Sequence, residues 1–117
     1  MSKQSQITLD VTVDDNHVPE SMSWSAPDGG VEKAEADAFM LSVWDAKAKD
    51  TLRIDLWTKG MQVEDMKRFY HQTLLAMADG LERSTDEKKM AEDLRDYAAH
   101  FADKLSLFSS DEDQSPR

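Results

Sequence analysis

The first 26 residues of the chain alternate between apolar and polar positions in two runs. In the first run, every second residue is apolar: Ile7, Leu9, Val11 and Val13. In the second run the apolar positions are Met22, Trp24 and Ala26, and Pro19 stands at its start, where no ladder donor is needed. A period of two is typical of half-buried strands. Because a turn-forming cluster, residues 14–17, separates the two runs, the pattern predicts a β-hairpin.

A second hairpin is predicted between residues 39 and 57. The run 39–44 is apolar on both faces, with Phe39, Leu41 and Val43 on one face and Met40 and Trp44 on the other. The run 51–57 places Leu52, Ile54 and Leu56 on one face and Arg53, Asp55 and Trp57 on the other. A polar connection, residues 45–50, joins the two runs. The charged, Ala-rich segment 31–37 that precedes them is predicted to be a short helical turn or a loop.

After Gly60 the apolar period changes from two to 3.6, which is typical of amphipathic helices. The stripe of the first predicted helix consists of Val63, Met66, Tyr70, Thr73, Leu74, Met77 and Leu81. Ser84 and Glu87 have the spacing of a capping box, which predicts that a second helix begins there. Its stripe consists of Met90, Leu94, Tyr97, Phe101, Leu105 and Phe108. Since few residues separate the helices, we expect an antiparallel pair or a kinked succession.

These elements predict an α+β fold, in which a four-stranded antiparallel sheet made of two hairpins is followed by two C-terminal helices. Residues 1–108 are predicted to form a single α+β domain, and a chain of 117 residues is long enough to bury a core. Residues 109–117 are polar and acidic, and they are predicted to form a disordered tail.

The predicted sheet carries more apolar side chains than one covered face can hold. Helices packed on one face would cover Leu52, Ile54 and Leu56. The opposite face would still carry Met40, Trp44 and Trp57. Because an exposed apolar surface of that size usually marks an interface, these three residues form a candidate interaction patch, and we expect a homodimer or a higher oligomer. The alternative is that segment 31–37 or the first hairpin covers the rings within one chain.

The net charge argues against one class of partner, and the distribution of apolar residues indicates the location. Lys and Arg number 14, whereas Asp and Glu number 24, which gives a formal net charge of -10. Binding to phosphate backbones needs clustered basic residues, so nucleic acid is not an expected partner. No apolar run has the roughly 18 residues of a membrane span, and the N-terminus lacks the apolar run of a signal peptide. The expected location is the cytoplasm.

No pattern for catalysis, metal binding or cofactor binding is evident. The chain has no cysteine, which excludes thiolate ligands and cysteine nucleophiles. Its histidines, His17, His71 and His100, form no H-x-x-x-H or E-x-x-H pair, although an antiparallel helix pair would place positions 71 and 100 at similar heights. The Gly pair after Asp28 predicts a turn rather than a phosphate loop. We therefore expect a protein that is not an enzyme and that binds no cofactor.

Several segments of the chain resemble the gliding-motility protein GldC family of the Bacteroidetes. They are LSVWD (41–45), TLRIDLWTK (51–59), FYHQTL (69–74), MADGLERST (77–85) and ITLDVTVDDNHVPESMSWSA (7–26). The resemblance covers residues 2–107. It implies a small, soluble accessory protein of gliding motility and its associated secretion apparatus, with unidentified proteins of that machinery as partners. It implies no catalytic residues.

Two hypotheses about function follow from the sequence. In the first, the chain is an interaction module that contacts other proteins through Met40, Trp44 and Trp57. In the second, it is a SecB-like chaperone or a small-ligand-binding module, because four antiparallel strands followed by two helices, with an acidic surface, also describe such chaperones in outline.

Overall fold

The structure, a computed structural model, describes residues 2–108. Over these residues the strands are β1 (Thr8–Val13), β2 (Pro19–Ala26), β3 (Val31–Ala36), β4 (Ala38–Asp45) and β5 (Asp50–Trp57). The helices are α1 (Val63–Thr85) and α2 (Lys88–Lys104), and a short 3-10 helix spans Pro27–Gly29. Strands followed by two C-terminal helices confirm the predicted α+β class. The predicted tail, residues 109–117, lies outside the described residues.

Two compact units make up the chain, Met1–Met61 and Gln62–Arg117. The first unit contains all the strands described, and the second contains α1 and α2. The single domain expected over residues 1–108 stays a prediction.

β1 and β2 form the first predicted hairpin, with Leu9 opposite Trp24 and Val11 opposite Met22. The turn between them is organised by Asp14, whose Oδ1 accepts hydrogen bonds from the backbone N–H groups of Asn16 (2.8 Å) and Val18 (3.0 Å). An Asx turn of this kind mimics a backbone turn, which explains why the Asp-rich cluster reverses the chain here. Met22 is buried and provides the core position of this sheet.

The segment predicted to be a helical turn or a loop is instead the strand β3. It pairs antiparallel with β2, with Trp24 opposite Ala34 and Met22 opposite Ala36. Gly30, at φ 78, lies between the 3-10 helix and β3, in a left-handed conformation that glycine adopts without steric cost. The single sheet of four strands is therefore wrong, because the described residues form one sheet in the order β1-β2-β3 and a second of β4 and β5.

β4 and β5 form the second predicted hairpin, with Leu41 opposite Ile54 at its centre. Asp45 organises the turn, since its Oδ1 accepts hydrogen bonds from the N–H groups of Lys47 (2.9 Å) and Ala48 (3.0 Å). Lys49 completes the reversal in a left-handed conformation at φ 55. The register is unbroken from Ala38 to Trp57, so the turn fixes which side chains share a face.

α1 and α2 pack against each other as an antiparallel pair: Arg95 bonds to Asp79, and Phe108 contacts His71. The seam between them consists of small residues, because Ala78, Ala91 and Ala98 are each 0% exposed. Alanine lets two helices approach closely at little cost in side-chain entropy. The two predicted apolar stripes coincide with this seam only in part. Leu74, Leu81, Leu94 and Phe101, each within one turn of a buried alanine, are half-buried, whereas other members, including Val63, Tyr70, Met77, Met90 and Tyr97, are exposed.

The boundary between the helices differs from the predicted capping box. α1 continues to Thr85, and Asp86 ends it in a left-handed conformation at φ 62. The Ser84 hydroxyl donates to the carbonyl of Gly80 (2.8 Å), within its own helix. Such back-bonding competes with capping, so Ser84 belongs to the last turn of α1, and α2 begins at Lys88.

Candidate interaction surface

The hairpin of β4 and β5 presents two chemically different faces. Directly opposite residues of an antiparallel pair point to the same side, so the register defines both faces. The aliphatic face comprises Phe39, Leu41, Val43, Leu52, Ile54 and Leu56. The aromatic face comprises Met40, Trp44 and Trp57 together with Ala38, Ser42, Thr51, Arg53 and Asp55. The face assignments made from the alternation are confirmed.

The aromatic face holds all three residues of the predicted patch, but it does not bring them into one cluster. Trp44 lies opposite Thr51 at one end of the hairpin, and Trp57 lies opposite Ala38 at the other. Six residues at about 3.3 Å each separate the two indoles by about 20 Å along the strands. Their exposed fractions are 62% and 54%, whereas Met40 is half-buried.

An ion pair occupies the middle of the aromatic face. Arg53 Nε donates to Asp55 Oδ1 at 3.0 Å, and both side chains are partly exposed. The face therefore presents an indole, a charged pair and a second indole in sequence along the hairpin. Such a surface offers apolar contact at its ends and directional polar groups at its centre.

The aliphatic face also carries exposed side chains. Leu52 and Ile54 are 57% and 55% exposed, and Leu41 and Val43 on the opposite strand are exposed as well. The helix cover expected over Leu52 and Ile54 stays a prediction, because the helices belong to the second unit. No charged residue interrupts the face between its ends, which makes it the more hydrophobic side of the hairpin. The signal for this face in the sequence is the aliphatic residue at every second position of both strands.

The base of the hairpin is fixed to the three-stranded sheet by hydrogen bonds. The N–H of Thr58, a buried residue, donates to the Asp37 carbonyl at 2.8 Å, and the N–H of Lys59 donates to the Pro19 carbonyl at 3.0 Å. The Lys59 ammonium donates to Asp14 Oδ2 at 2.6 Å. That bond, with the backbone N–H donors of the turn, lowers the pKa of Asp14 to about 2, and the bond to Asp14 raises the pKa of Lys59. These contacts hold the end of β5 in place.

The helix pair of the second unit has one apolar side and one polar side. The residues just before the seam positions Ala78 and Ala98 are Met77 and Tyr97, both exposed. Because the helices are antiparallel, positions that precede seam residues lie on the same side of the pair, about 100° from the seam. The unit therefore exposes a second apolar surface on that side.

The opposite side of the helix pair is polar and is centred on Arg95. Its guanidinium donates to Asp79 (2.9 Å), Glu82 (2.8 Å) and Glu92 (2.8 Å). The bond to Asp79, followed by those to the two glutamates, holds the pKa of Arg95 above its ordinary value. Three carboxylates around one cation leave this side acidic.

Two of the three histidines, His71 and His100, lie beside aromatic rings. His71 is buried, and its ring lies 5.3 Å from that of Phe108 in an edge-on arrangement. His100 is exposed beside Tyr97, with ring centroids 5.8 Å apart. Between positions 2 and 108, no three His, Asp or Glu side chains come close enough together to hold a metal ion. The absence of a catalytic site stays a prediction.

Comparison with known protein families places this chain within one of them. The sequence profile of a family described as "Gliding motility-associated protein GldC-like" matches residues 19–107, a span that includes β2 to β5 and both helices. No curated protein and no solved structure gives a significant match. In the part of the chain that the structure describes, no helix combines the length and the hydropathy needed to cross a membrane.

Proposed function

We propose that this chain, which belongs to the GldC-like family of gliding motility-associated proteins, supports gliding as a non-enzymatic accessory protein. It works in the cytoplasm as a homodimer and contacts other proteins of the gliding machinery or of its associated secretion apparatus. The observation that carries the proposal is the exposure of two indoles, Trp44 and Trp57, on one face of a hairpin whose base is fixed.

The size of the indoles makes them suitable anchors for a partner. A tryptophan side chain buries about 150–250 Å² when fully enclosed. Trp44 is 62% exposed, so a partner that covered it would remove on the order of 100 Å² from water. At about 25 cal/mol per Å², this contributes roughly 2–4 kcal/mol, the range of an interface hot spot.

The charged pair between the indoles supports selectivity. Arg53 and Asp55 already bond to each other, so each presents the rest of its hydrogen-bonding capacity in a fixed direction. A partner that placed polar groups opposite this pair would dock in one register. Exposed ion pairs add little affinity, so we assign this pair to orientation and the indoles to affinity.

Complementation of a gliding bacterium tests the proposal. The strain lacks its own copy of this gene and carries either the natural chain or the double variant Trp44→Ser, Trp57→Ser. The matched control is Val63→Ser, a change at an exposed apolar residue outside the hairpin. The readout is colony spreading, with protein abundance and helical circular dichroism measured for each variant.

We expect the natural chain and the Val63 control to restore spreading and the double variant to fail at normal abundance and helicity. Proteins that co-purify with the natural chain should be lost with the double variant and kept with the control. Normal spreading by a stable double variant would refute the role of the indoles. Normal spreading by the strain without any copy would refute the role in gliding.

A SecB-like chaperone or small-ligand-binding module is the second candidate, and the exposed aliphatic face favours it. Leu41, Leu52 and Ile54 offer an uncharged surface to unfolded chains or to an apolar ligand. Suppression of aggregation of several thermally unfolded proteins, abolished by Ile54→Ser but not by Val63→Ser, would support it. Unchanged aggregation of every client would remove it.

A further inference from the structure

The two sheets of residues 2–108 present four outer strands, namely β1 and β3 of one sheet and both strands of the other. The outer edge of a strand carries backbone donors and acceptors that can pair with another chain. Natural proteins prevent such pairing with bulges, short strands and charged residues along the edge.

Three of the outer strands carry blocking features. The register of β1 shifts between Thr12 and Val13. β3 carries Glu32, Lys33 and Glu35 within six residues, and the backbone of Lys33 is in a left-handed conformation at φ 47. β5 carries the Arg53–Asp55 ion pair. These features disfavour pairing with a further strand at each of these edges.

β4 differs from the other outer strands. Its sequence, AFMLSVWD, contains no proline, no glycine and no charge before its last residue, and its register with β5 is unbroken for eight residues. It also belongs to a sheet of only two strands, exposed on its aliphatic face and at both indoles. A two-stranded hairpin is marginal in water, and three or more strands are needed for independent stability.

We propose that the outer edge of β4 pairs antiparallel with β4 of a second copy, about a two-fold axis close to Leu41 and Ser42. The product is one four-stranded sheet in the order β5-β4-β4-β5, about 26 Å long if each strand has eight residues. This inference deepens the homodimer of the proposed function and assigns its interface. The aromatic face stays available to a different protein.

Two observations favour a second copy of this chain, rather than a strand of a different protein, as the partner of this edge. A two-fold axis perpendicular to the sheet keeps each face on its own side, so the aliphatic faces of the two copies become one continuous surface. Each copy carries a net charge of -10, yet the only charge on β4 is Asp45 at its end, away from the axis. No like charges therefore meet at the centre of the pairing.

Single cysteines test the arrangement, because the natural chain has none. Residues opposite each other on paired antiparallel strands have Cα atoms about 4.5–5.5 Å apart, which a disulfide can bridge. The test variants are Leu41→Cys and Ser42→Cys, of which a two-fold axis perpendicular to the sheet places one directly opposite its own counterpart. The matched controls are Ile54→Cys and Arg53→Cys, their direct neighbours on β5, which the proposed sheet places about 14 Å from their counterparts in the other copy.

We expect mild oxidation to link the β4 variant that lies on the axis into covalent dimers at least tenfold faster than its β5 control, and light scattering to give a dimer for the natural chain at micromolar concentration. Equal rates at the two strands, or a dimer without linkage at β4, would overturn the edge assignment and leave the homodimer standing. A strict monomer would overturn both. The test of partner binding with the indole double variant does not depend on the outcome of the cysteine or light-scattering experiments.

Discussion

Lys59 Nζ lies 2.6 Å from Asp14 Oδ2, although 45 positions separate the two residues in the chain. Asp14 belongs to the turn after β1, and Lys59 follows the end of β5. The other oxygen of Asp14 accepts two backbone N–H groups of its own turn. One carboxylate thus organises a turn and anchors the base of the hairpin that carries the indoles.

This pair predicts a loss of stability in acid. The pKa of Asp14 is lowered from 3.8 to about 2, so the fold favours its charged form. The contribution to stability is complete above the unfolded pKa and is lost as the pH falls from about 4 to about 2. Urea unfolding at several pH values should show this loss in the natural chain and less of it in Asp14→Asn. An identical pH profile for both would contradict the assigned role.

The alanine seam predicts that the same substitution changes the free energy of unfolding by very different amounts at two adjacent alanines. Ala98 is fully buried between the helices, whereas Ala99 is exposed. Ala98→Leu adds three carbon atoms to a closed seam and should lower the free energy of unfolding by about 1–3 kcal/mol. Ala99→Leu should change it by no more than about 0.5 kcal/mol. Chemical denaturation of both variants checks this, and equal stabilities would mean that the seam is open.

Leu107, which follows α2, is predicted to contribute to the core of the helical unit. Leu107 is buried, and its carbonyl accepts a hydrogen bond from Arg68 Nη2 at 3.2 Å. Leu107→Ala should therefore lower the free energy of unfolding by about 2–5 kcal/mol. The control Val63→Ala removes an exposed side chain and should cost about 0.5 kcal/mol or less. A Leu107 variant as stable as the control would show that this segment does not pack on α1.

Arg95 predicts a salt-dependent stability. Arg95→Met leaves Asp79, Glu82 and Glu92 close together without their shared cation, and the Tm should fall. Since these groups are partly exposed, the fall should shrink as salt rises towards about 1 M, where the screening length is about 3 Å. Arg83→Met, in the last turn of α1, is the control and should show a smaller change. A fall in Tm that did not depend on salt would point to lost packing instead.

Most secondary-structure elements could be predicted because their apolar residues follow a period of two or of 3.6. The faces of β4 and β5 could also be assigned, since alternation fixes that Trp44 and Leu41 point to opposite sides. β3 could not be predicted, because Glu, Lys and Ala favour helix locally. Pairing of Ala34 and Ala36 with β2 overrides that preference.

The candidate site could be predicted only in part. Met40, Trp44 and Trp57 do share a face, but alternation alone does not set the register of the two strands, on which the distance between the indoles depends. The exposure of Leu52 and Ile54 could not be predicted, because alternation shows which face a side chain lies on and not what covers that face. In the helix pair, buried alanines such as Ala91 carry the contact, and alanine is too common on helix surfaces for periodicity to identify a seam.

The central claim, that the aromatic face of the hairpin contacts another protein during gliding, is tested most directly by photo-crosslinking in living cells. A benzophenone amino acid replaces Trp44, Trp57 or, as the control, Val63, which has a larger exposed fraction but lies on α1. We predict adducts to the same protein from positions 44 and 57 and none from position 63. Adducts absent from both hairpin positions, or equally abundant from position 63, would contradict the account.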